Sequence, residues 1–174
     1  MLKEILTTYW SQMTLVLLAI GYLIKRIFDD RSKKAEINHT LYQQNRISAL
    51  TNFFRNYAAV ELMWKQIHIW AIVQNKLSEK EIDEYIWPSI NLLKTSVIEL
   101  KLYFDKVDHD LFEKLLESVL DVNQELSLIF FSPNSELTLV QRANKFNSYR
   151  DNVFQKNNET LTAIADRTRK LFSN

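Results

Sequence analysis

Three polar residues near the C-terminus are the strongest candidates for a functional site. Arg150 is followed directly by Asp151, and Asn157 lies two helical turns later. Heptad spacing puts Arg150 and Asn157 on the side of a predicted last helix that otherwise carries apolar residues. A guanidinium that faces a core is costly to bury unpaired, so we expect Arg150 to find a partner or to line a crevice. The alternative is a structural Arg150 paired with a carboxylate of the preceding acidic helices.

Several other chemistries are excluded by composition. The chain has no cysteine, which rules out disulfides, zinc–thiolate sites and a cysteine nucleophile. Its only glycine is Gly21, so no glycine-rich loop can cradle a phosphate, and neither a His-Glu-x-x-His motif nor an EF-hand loop occurs. The sequence therefore predicts no metal site and no cofactor. A single glycine in 174 residues also argues against β-hairpins.

An uncharged N-terminal segment, Ile5 to Ile24, predicts a transmembrane helix. Twenty helical residues span about 30 Å, which is the thickness of a bilayer core. Basic residues follow the segment, beginning with Lys25 and Arg26, and only Lys3 precedes it. The positive-inside rule then puts the protein in the inner membrane, with the N-terminus outside and the rest cytoplasmic. The alternatives are a cleaved signal peptide ending near Gly21 and a buried helix of a soluble core.

Small and hydroxyl residues share one heptad stripe of this segment. A stripe of this kind lets membrane helices pack closely, or it lines a lumen, so it predicts association within the lipid bilayer. Alternatively, each hydroxyl is bonded to its own helix backbone. The stripe consists of Thr7, Ser11, Thr14, Leu18 and Gly21.

The remainder of the chain predicts an all-α fold, with residues 1–28 as the anchor and residues 29–174 as an up-and-down helical bundle. No helix breaker occurs from Ala35 to Gln74, Ser78 and Glu81 form a capping box, and Pro88 is expected to end that short helix. Asp108 is expected to cap a later helix, and a last helix follows the turn at 132–135.

Charge divides the predicted bundle into two parts. Residues 79–136 hold 13 acidic and 5 basic residues, a net of −8, whereas residues 137–174 hold 7 basic and 3 acidic residues, a net of +4. The two parts can neutralise each other within one chain, or join protomers head to tail into a ring. The basic part can also meet phosphates, which leaves RNA binding open.

The pair Arg150-Asp151 resembles the opening of the motif of the HEPN superfamily, a group of small helical bundles. That motif continues with a histidine four to six residues later, where this chain has Gln155, Lys156 and Asn157. A second pair, Arg55-Asn56, also lacks its histidine. In active members the arginine and histidine of two protomers cleave RNA, so the resemblance implies a degenerate, non-enzymatic member. His39, His68 and His109 lie outside the motif and are interpreted as surface or packing residues.

A predicted membrane helix before a degenerate HEPN-like bundle is similar in architecture to the small accessory proteins of type VI-B CRISPR systems. That resemblance implies an antiviral role in which a homo-oligomeric ring forms a membrane pore and strengthens an RNA-guided, RNA-cleaving effector. Two other functions fit the sequence. One is a membrane-tethered HEPN-like protein that binds or cleaves RNA, and the other is a non-enzymatic membrane scaffold or adaptor.

Overall fold

The computed structural model is all-helical and describes residues 2–67, 69, 72, 77–132 and 137–172. For residues 2–8, 11–13, 15, 16, 171 and 172 it describes the backbone only. The long helices of these ranges are α1 (Leu2–Gln66), α2 (Glu79–Leu100), α3 (Lys106–Phe130) and α4 (Leu139–Phe172). The all-α prediction is therefore confirmed. One long or two kinked helices were expected to cover Ala35 to Gln74. Helix α1 ends at Gln66, and residues 68, 70, 71, 73 and 74 of that stretch lie outside the described residues.

The helix starts follow their capping residues. The Ser78 hydroxyl accepts a hydrogen bond from the Glu81 backbone N–H, and the Glu81 carboxylate accepts one from the Ser78 N–H at 2.8 Å, so the predicted capping box is confirmed. The predicted cap at Asp108 is wrong, because the cap of α3 is Asp105, whose carboxylate accepts from the Asp108 N–H at 2.9 Å. Both acidic residues are typical of a first helical turn, and spacing alone did not separate them.

Pro88 does not end a helix, contrary to the prediction, and lies inside α2. Proline removes one backbone donor and crowds the preceding turn, which usually kinks or stops a helix. Here the proline is exposed, whereas Ile86 and Ile90 on either side of it are fully buried in the core. Because Ile86 and Ile90 are both buried, the two halves of α2 pack against the same core.

The residues from 46 onward form a helical bundle. Each helix is hydrogen-bonded to the next one along the chain or to the one across from it. The bonds that show this are Asn56 to the Leu92 carbonyl, His109 to the Val97 carbonyl, Ser118 to Asn157 and Arg150 to the Trp64 carbonyl. The predicted helical bundle is confirmed.

Aromatic side chains fill the centre of this bundle. Phe53 meets Phe112 edge to face, with ring centroids 4.8 Å apart, and Phe112 also meets Phe104. Toward the other end, Trp64 lies beside Phe146 at 6.0 Å. Such pairs add roughly 0.5–1.5 kcal/mol each to the free energy gained by burying the rings.

Residues 1–45 form a second unit by their internal contacts. This unit is the N-terminal part of α1. Among its described side chains only Gln43 is even half-buried, and the rest are exposed. The predicted division at residue 28 is not tested by this and stays a prediction.

In the ranges that the structure describes, no helix has both the length and the apolarity to cross a bilayer. The predicted transmembrane anchor and the inner-membrane localisation are therefore wrong. The prediction relied on the absence of charge from Ile5 to Ile24, and an uncharged segment need not be apolar. Its first half contains threonines, a serine and a glutamine, and its continuous aliphatic run is confined to Leu15–Ile20, whereas a span needs about 20 largely apolar residues.

Candidate functional site

Arg150 joins α4 to the end of α1. Its side chain is only 13% exposed, and its Nη1 donates to the backbone carbonyl of Trp64 at 3.2 Å. Trp64 lies in the last turn of α1, where carbonyl groups have no donor from their own helix. A cation at this position also opposes the partial negative charge of a helix C-terminus. Arg150 therefore acts as a C-terminal cap supplied by another helix.

The carboxylate that pairs with Arg150 is its neighbour in the chain. Nε and Nη2 of Arg150 both donate to Oδ1 of Asp151 at 2.9 Å. The partner expected from the acidic helices is thus replaced by Asp151 and a main-chain oxygen. With three of its N–H groups engaged, the guanidinium is held in one orientation.

Asn157 is engaged elsewhere, in a buried contact with α3. It is 5% exposed, and its amide donates to the Ser118 hydroxyl at 2.8 Å. The same hydroxyl lies 3.0 Å from the amide oxygen of Asn157 and 2.8 Å from the Leu115 carbonyl, so it has two acceptors within reach. The structure therefore brings Arg150 and Asp151 together but ties Asn157 to a different helix.

Tyr57 of α1 lies beside this buried amide. Burial raises the pKa of the Tyr57 phenol to about 12, Asn157 opposes the shift and Glu61 adds to it. The hydroxyl nevertheless has no hydrogen-bond partner at bonding geometry. A buried hydroxyl without a partner costs stability, which gives Tyr57 a testable role.

The second Arg-polar pair points in two directions. Arg55 is exposed and donates to the Asn52 side chain at 2.9 Å, within its own helix. Asn56 donates to the Leu92 carbonyl at 3.2 Å and so joins α1 to α2. Asn56 therefore has a packing role, whereas Arg55 faces solvent.

The N-terminal stripe is exposed where it is described. The Thr14 hydroxyl donates to the Trp10 carbonyl at 2.8 Å, which is the self-satisfied arrangement weighed as the alternative. Leu18 is exposed, and a Cβ added to Gly21 would meet nothing within 4 Å. The side chains of Thr7 and Ser11 lie outside the described residues.

The histidines differ in environment. His39 is exposed, and His68 lies outside the described residues. His109 is buried, its Nε2 is 2.9 Å from the Val97 carbonyl, and its Nδ1 is 3.4 Å from Glu113. This agrees with a packing role that links α2 to α3. Among the described residues, no group of three or more acidic or histidine side chains could hold a metal ion.

The chain matches no family model, no curated protein and no solved structure. A function for the chain must therefore be inferred from the residues described above. Ser118, Tyr57 and the Trp64 carbonyl were not predicted as site residues. Ser118 and the Trp64 carbonyl each lie on another helix than their partner, and only the spacing of Ser118 between Leu115 and Val122 on a buried face could have pointed to it.

Proposed function

We propose that this chain is a non-enzymatic protein that works by assembling with copies of itself through the N-terminal part of α1, as an accessory to an RNA-guided antiviral effector. The observation that carries the assembly is the exposure of large apolar side chains along residues 17–28. Leu17 and Phe28 are each 66% exposed. The other exposed residues of this set are Leu18, Ile20, Tyr22, Leu23, Ile24 and Ile27.

These side chains point to several sides of the helix, because they are spread over about three turns of a helix with 3.6 residues per turn. A helix that is apolar on every side is stable in water only when other surfaces cover it. Full burial of one Leu or Ile is worth about 1.5–3 kcal/mol, so covering this set supplies a large driving force for association.

The non-enzymatic part of the proposal is supported by the state of Arg150. Its guanidinium is largely buried and is held by Asp151 and the Trp64 carbonyl. A catalytic or RNA-binding arginine needs donors free to meet a phosphate. The positions where a HEPN motif carries its histidine hold Gln155, Lys156 and Asn157, so the histidine that would act as acid or base is absent from them.

The link to an effector is supported by the resemblance of Arg150-Asp151 and of the overall helical architecture to the accessory proteins described above. Gene neighbourhood tests it, since an accessory protein of this kind is encoded beside its effector. The membrane pore implied by the same resemblance requires a spanning helix, and we do not propose it.

Assembly is tested by measuring the mass of the purified full chain by light scattering. The variant carries Leu23→Gln and Ile27→Gln, which remove exposed apolar surface without changing charge. We expect the parent to form a discrete oligomer and the variant to have a lower mass with unchanged helicity. The matched control carries Leu92→Gln and Ile98→Gln in α2, two exposed apolar positions that should leave the mass unchanged. A parent that stays monomeric at micromolar concentration overturns the proposal.

Enzymatic activity is tested with Arg150→Ala and a fluorescent single-stranded RNA. We expect no cleavage by the parent and a loss of stability in the variant. Cleavage by the parent that disappears in Arg150→Ala, while Arg55→Ala retains it, would favour a ribonuclease instead.

A further inference from the structure

One stripe of the N-terminal unit is nearly symmetric in sequence about Ser32. Most of its residues before Ser32 have a counterpart of similar size and polarity at the same distance after Ser32. The stripe recurs at alternating spacings of three and four, which keeps it on one side of a helix. Its residues are Ile20, Leu23, Ile27, Asp30, Lys34, Ile37, Leu41 and Gln44. All eight side chains are exposed.

Each member of the stripe has a counterpart at the same distance on the other side of Ser32. Asp30 corresponds to Lys34, and apolar residues correspond to apolar residues in the next two layers. Those layers are Ile27 with Ile37 and Leu23 with Leu41. The outermost layer joins Ile20 to Gln44. A surface with this symmetry is complementary to a second copy of itself turned by half a rotation.

We infer from this that two copies of the chain pair through this stripe as antiparallel helices, with a two-fold axis beside Ser32. The inference rests on the proposed function, because it specifies how copies contact each other. In such a pair Asp30 of each copy meets Lys34 of the other, so opposite charges meet at two places. Leu23 and Ile27 of each copy pack against Leu41 and Ile37 of the other.

The opposite orientation is disfavoured by the same residues. In a parallel pair without stagger, each residue meets its own copy, so Asp30 would face Asp30 and Lys34 would face Lys34. Like charges in these layers repel, and specificity between alternative pairings is commonly set by such repulsion. Arg31 and Lys33 bring like charges near the axis in the antiparallel pair, so the apolar layers must supply its stability.

The half of the stripe that follows Ser32 borders a shallow groove. Ile37, Leu41 and Gln44 line this groove together with Lys33, Glu36 and Thr40. The opposite half presents Ile20, Leu23 and Ile27, which are branched side chains suited to insert between residues of a facing helix. The groove and the projecting side chains therefore lie on opposite sides of Ser32 along the chain.

Cysteine cross-linking of the full chain tests the orientation, and the absence of native cysteine makes each introduced thiol the only one. Leu23→Cys and Leu41→Cys are purified separately, oxidised alone and oxidised as an equal mixture. We expect a disulfide dimer containing one of each variant in the mixture and little dimer from either alone. In the antiparallel pair, identical positions 23 lie roughly 27 Å apart along the axis, far beyond disulfide reach. Leu92→Cys, exposed on α2, is the control for random collision.

Charge exchange provides a second measurement. Asp30→Lys and Lys34→Asp should each weaken dimerisation about tenfold, because each change creates two like-charge contacts, and mixing the two variants should restore it. An intrahelical ion pair between Asp30 and Lys34 predicts no recovery on mixing. The inferred pairing therefore requires that dimerisation recovers when Asp30→Lys and Lys34→Asp are mixed.

The outcomes separate this inference from the proposed function. Cross-linking of Leu23→Cys with itself shows a parallel pair and overturns the orientation while self-assembly stands. An oligomer that cross-links in neither experiment is held by another surface, and a monomer overturns the proposed function as well. Cosedimentation with phosphatidylcholine vesicles together with loss of the mixed disulfide would show that lipid covers the stripe, and this also overturns the inference.

Discussion

The two units of this chain use apolar residues in opposite ways. In residues 46–172 large aromatic side chains such as Phe53 and Phe112 are fully buried, and the buried Asn157 is hydrogen-bonded to another helix. In residues 17–45 the aliphatic side chains are exposed, and the described polar contacts are local, such as Thr40 to the Glu36 carbonyl four residues earlier. The same helix, α1, therefore contributes buried side chains to the core from Ala49 onward and carries exposed aliphatic side chains over residues 17–45.

If copies assemble as proposed, stability and association are encoded in separate stretches of sequence. A substitution in the bundle should change the free energy of unfolding, whereas a substitution in the first stretch should change the tendency to assemble. Five predictions test this division.

The largest effect is expected from Phe112→Ala. This residue is 1% exposed and packs edge to face against two other phenylalanines, so its truncation leaves a cavity. We expect a loss of about 3–5 kcal/mol in the free energy of unfolding, measured by urea denaturation with circular dichroism. Leu23→Ala, at a residue 57% exposed, should change that free energy by about 0.5 kcal/mol or less and reduce assembly instead. Equal losses in the two variants would remove the distinction between the units.

A smaller effect is expected from the buried polar contact of α3 with α4. Asn157→Ala leaves the Ser118 hydroxyl without the amide it accepts from, and we expect a loss of about 1–3 kcal/mol. The double variant Ser118→Ala with Asn157→Leu removes both polar groups and fills the space. It should recover most of the lost stability. A double variant no more stable than Asn157→Ala would show that the contact holds the helices in register by more than its hydrogen bonds.

The capping box of α2 should contribute less again. Ser78→Ala removes an N-cap and should cost about 0.5–2 kcal/mol. Thr14→Ala in the N-terminal unit, whose hydroxyl bonds only to its own helix, should leave thermal stability unchanged. If Thr14→Ala destabilised the chain as much as Ser78→Ala, the hydroxyls of the first unit would be structural.

The same capping box predicts a pH dependence. Hydrogen bonds from Ser78 lower the pKa of Glu81 below its ordinary value of 4.5. A carboxyl whose pKa is lowered in the folded state stabilises the fold above the unfolded pKa and loses that contribution as pH falls through the folded pKa. Thermal melts from pH 6 to pH 3 should therefore lose less stability in Glu81→Gln than in the parent.

The smallest effect, and one of opposite sign, is expected from Tyr57→Phe. Removing a buried hydroxyl that has no partner should leave stability unchanged or raise it by about 1 kcal/mol or less. The pKa of Tyr57, raised to about 12, means that its contribution is complete below about pH 10 and is lost as pH rises toward 12. Tyr57→Phe should therefore shift alkaline unfolding to higher pH, whereas Tyr22→Phe, at an exposed residue, should not. A destabilised Tyr57→Phe would show that the hydroxyl has a partner.

Periodicity predicted the buried side of α4 in part. The heptad stripe that carries Arg150 and Asn157 also carries Ala143, Phe154 and Ile164, which are buried, but it begins with Val140, which is 52% exposed. Phe146 is fully buried and was missed, because α4 contacts both α1 and α3. A helix between two neighbours buries a wider arc than one heptad stripe.

The partner of Arg150 could not be predicted from local sequence. It depends on where α1 ends, and no proline or glycine marks that end near Gln66. The sequence indicated that Arg150 needed a partner and gave no sign that this partner would be a main-chain oxygen of another helix. The error at the N-terminus has a different origin, since the absence of charge was given more weight than hydropathy.

Pro88 divides α2 into two segments that should differ in amide hydrogen exchange. Without an N–H at Pro88, the carbonyl of Glu84 lacks its usual helical donor, and one rung of the ladder that would couple the two segments is missing. The turns before the proline carry fewer buried residues, Ile82 and Ile86, than the turns after it, which carry Ile90, Leu93 and Val97. Amides before Pro88 should therefore exchange through frequent local openings. Amides after Pro88 should exchange only when the bundle unfolds as a whole. The single helix α2 would then belong to two cooperative units.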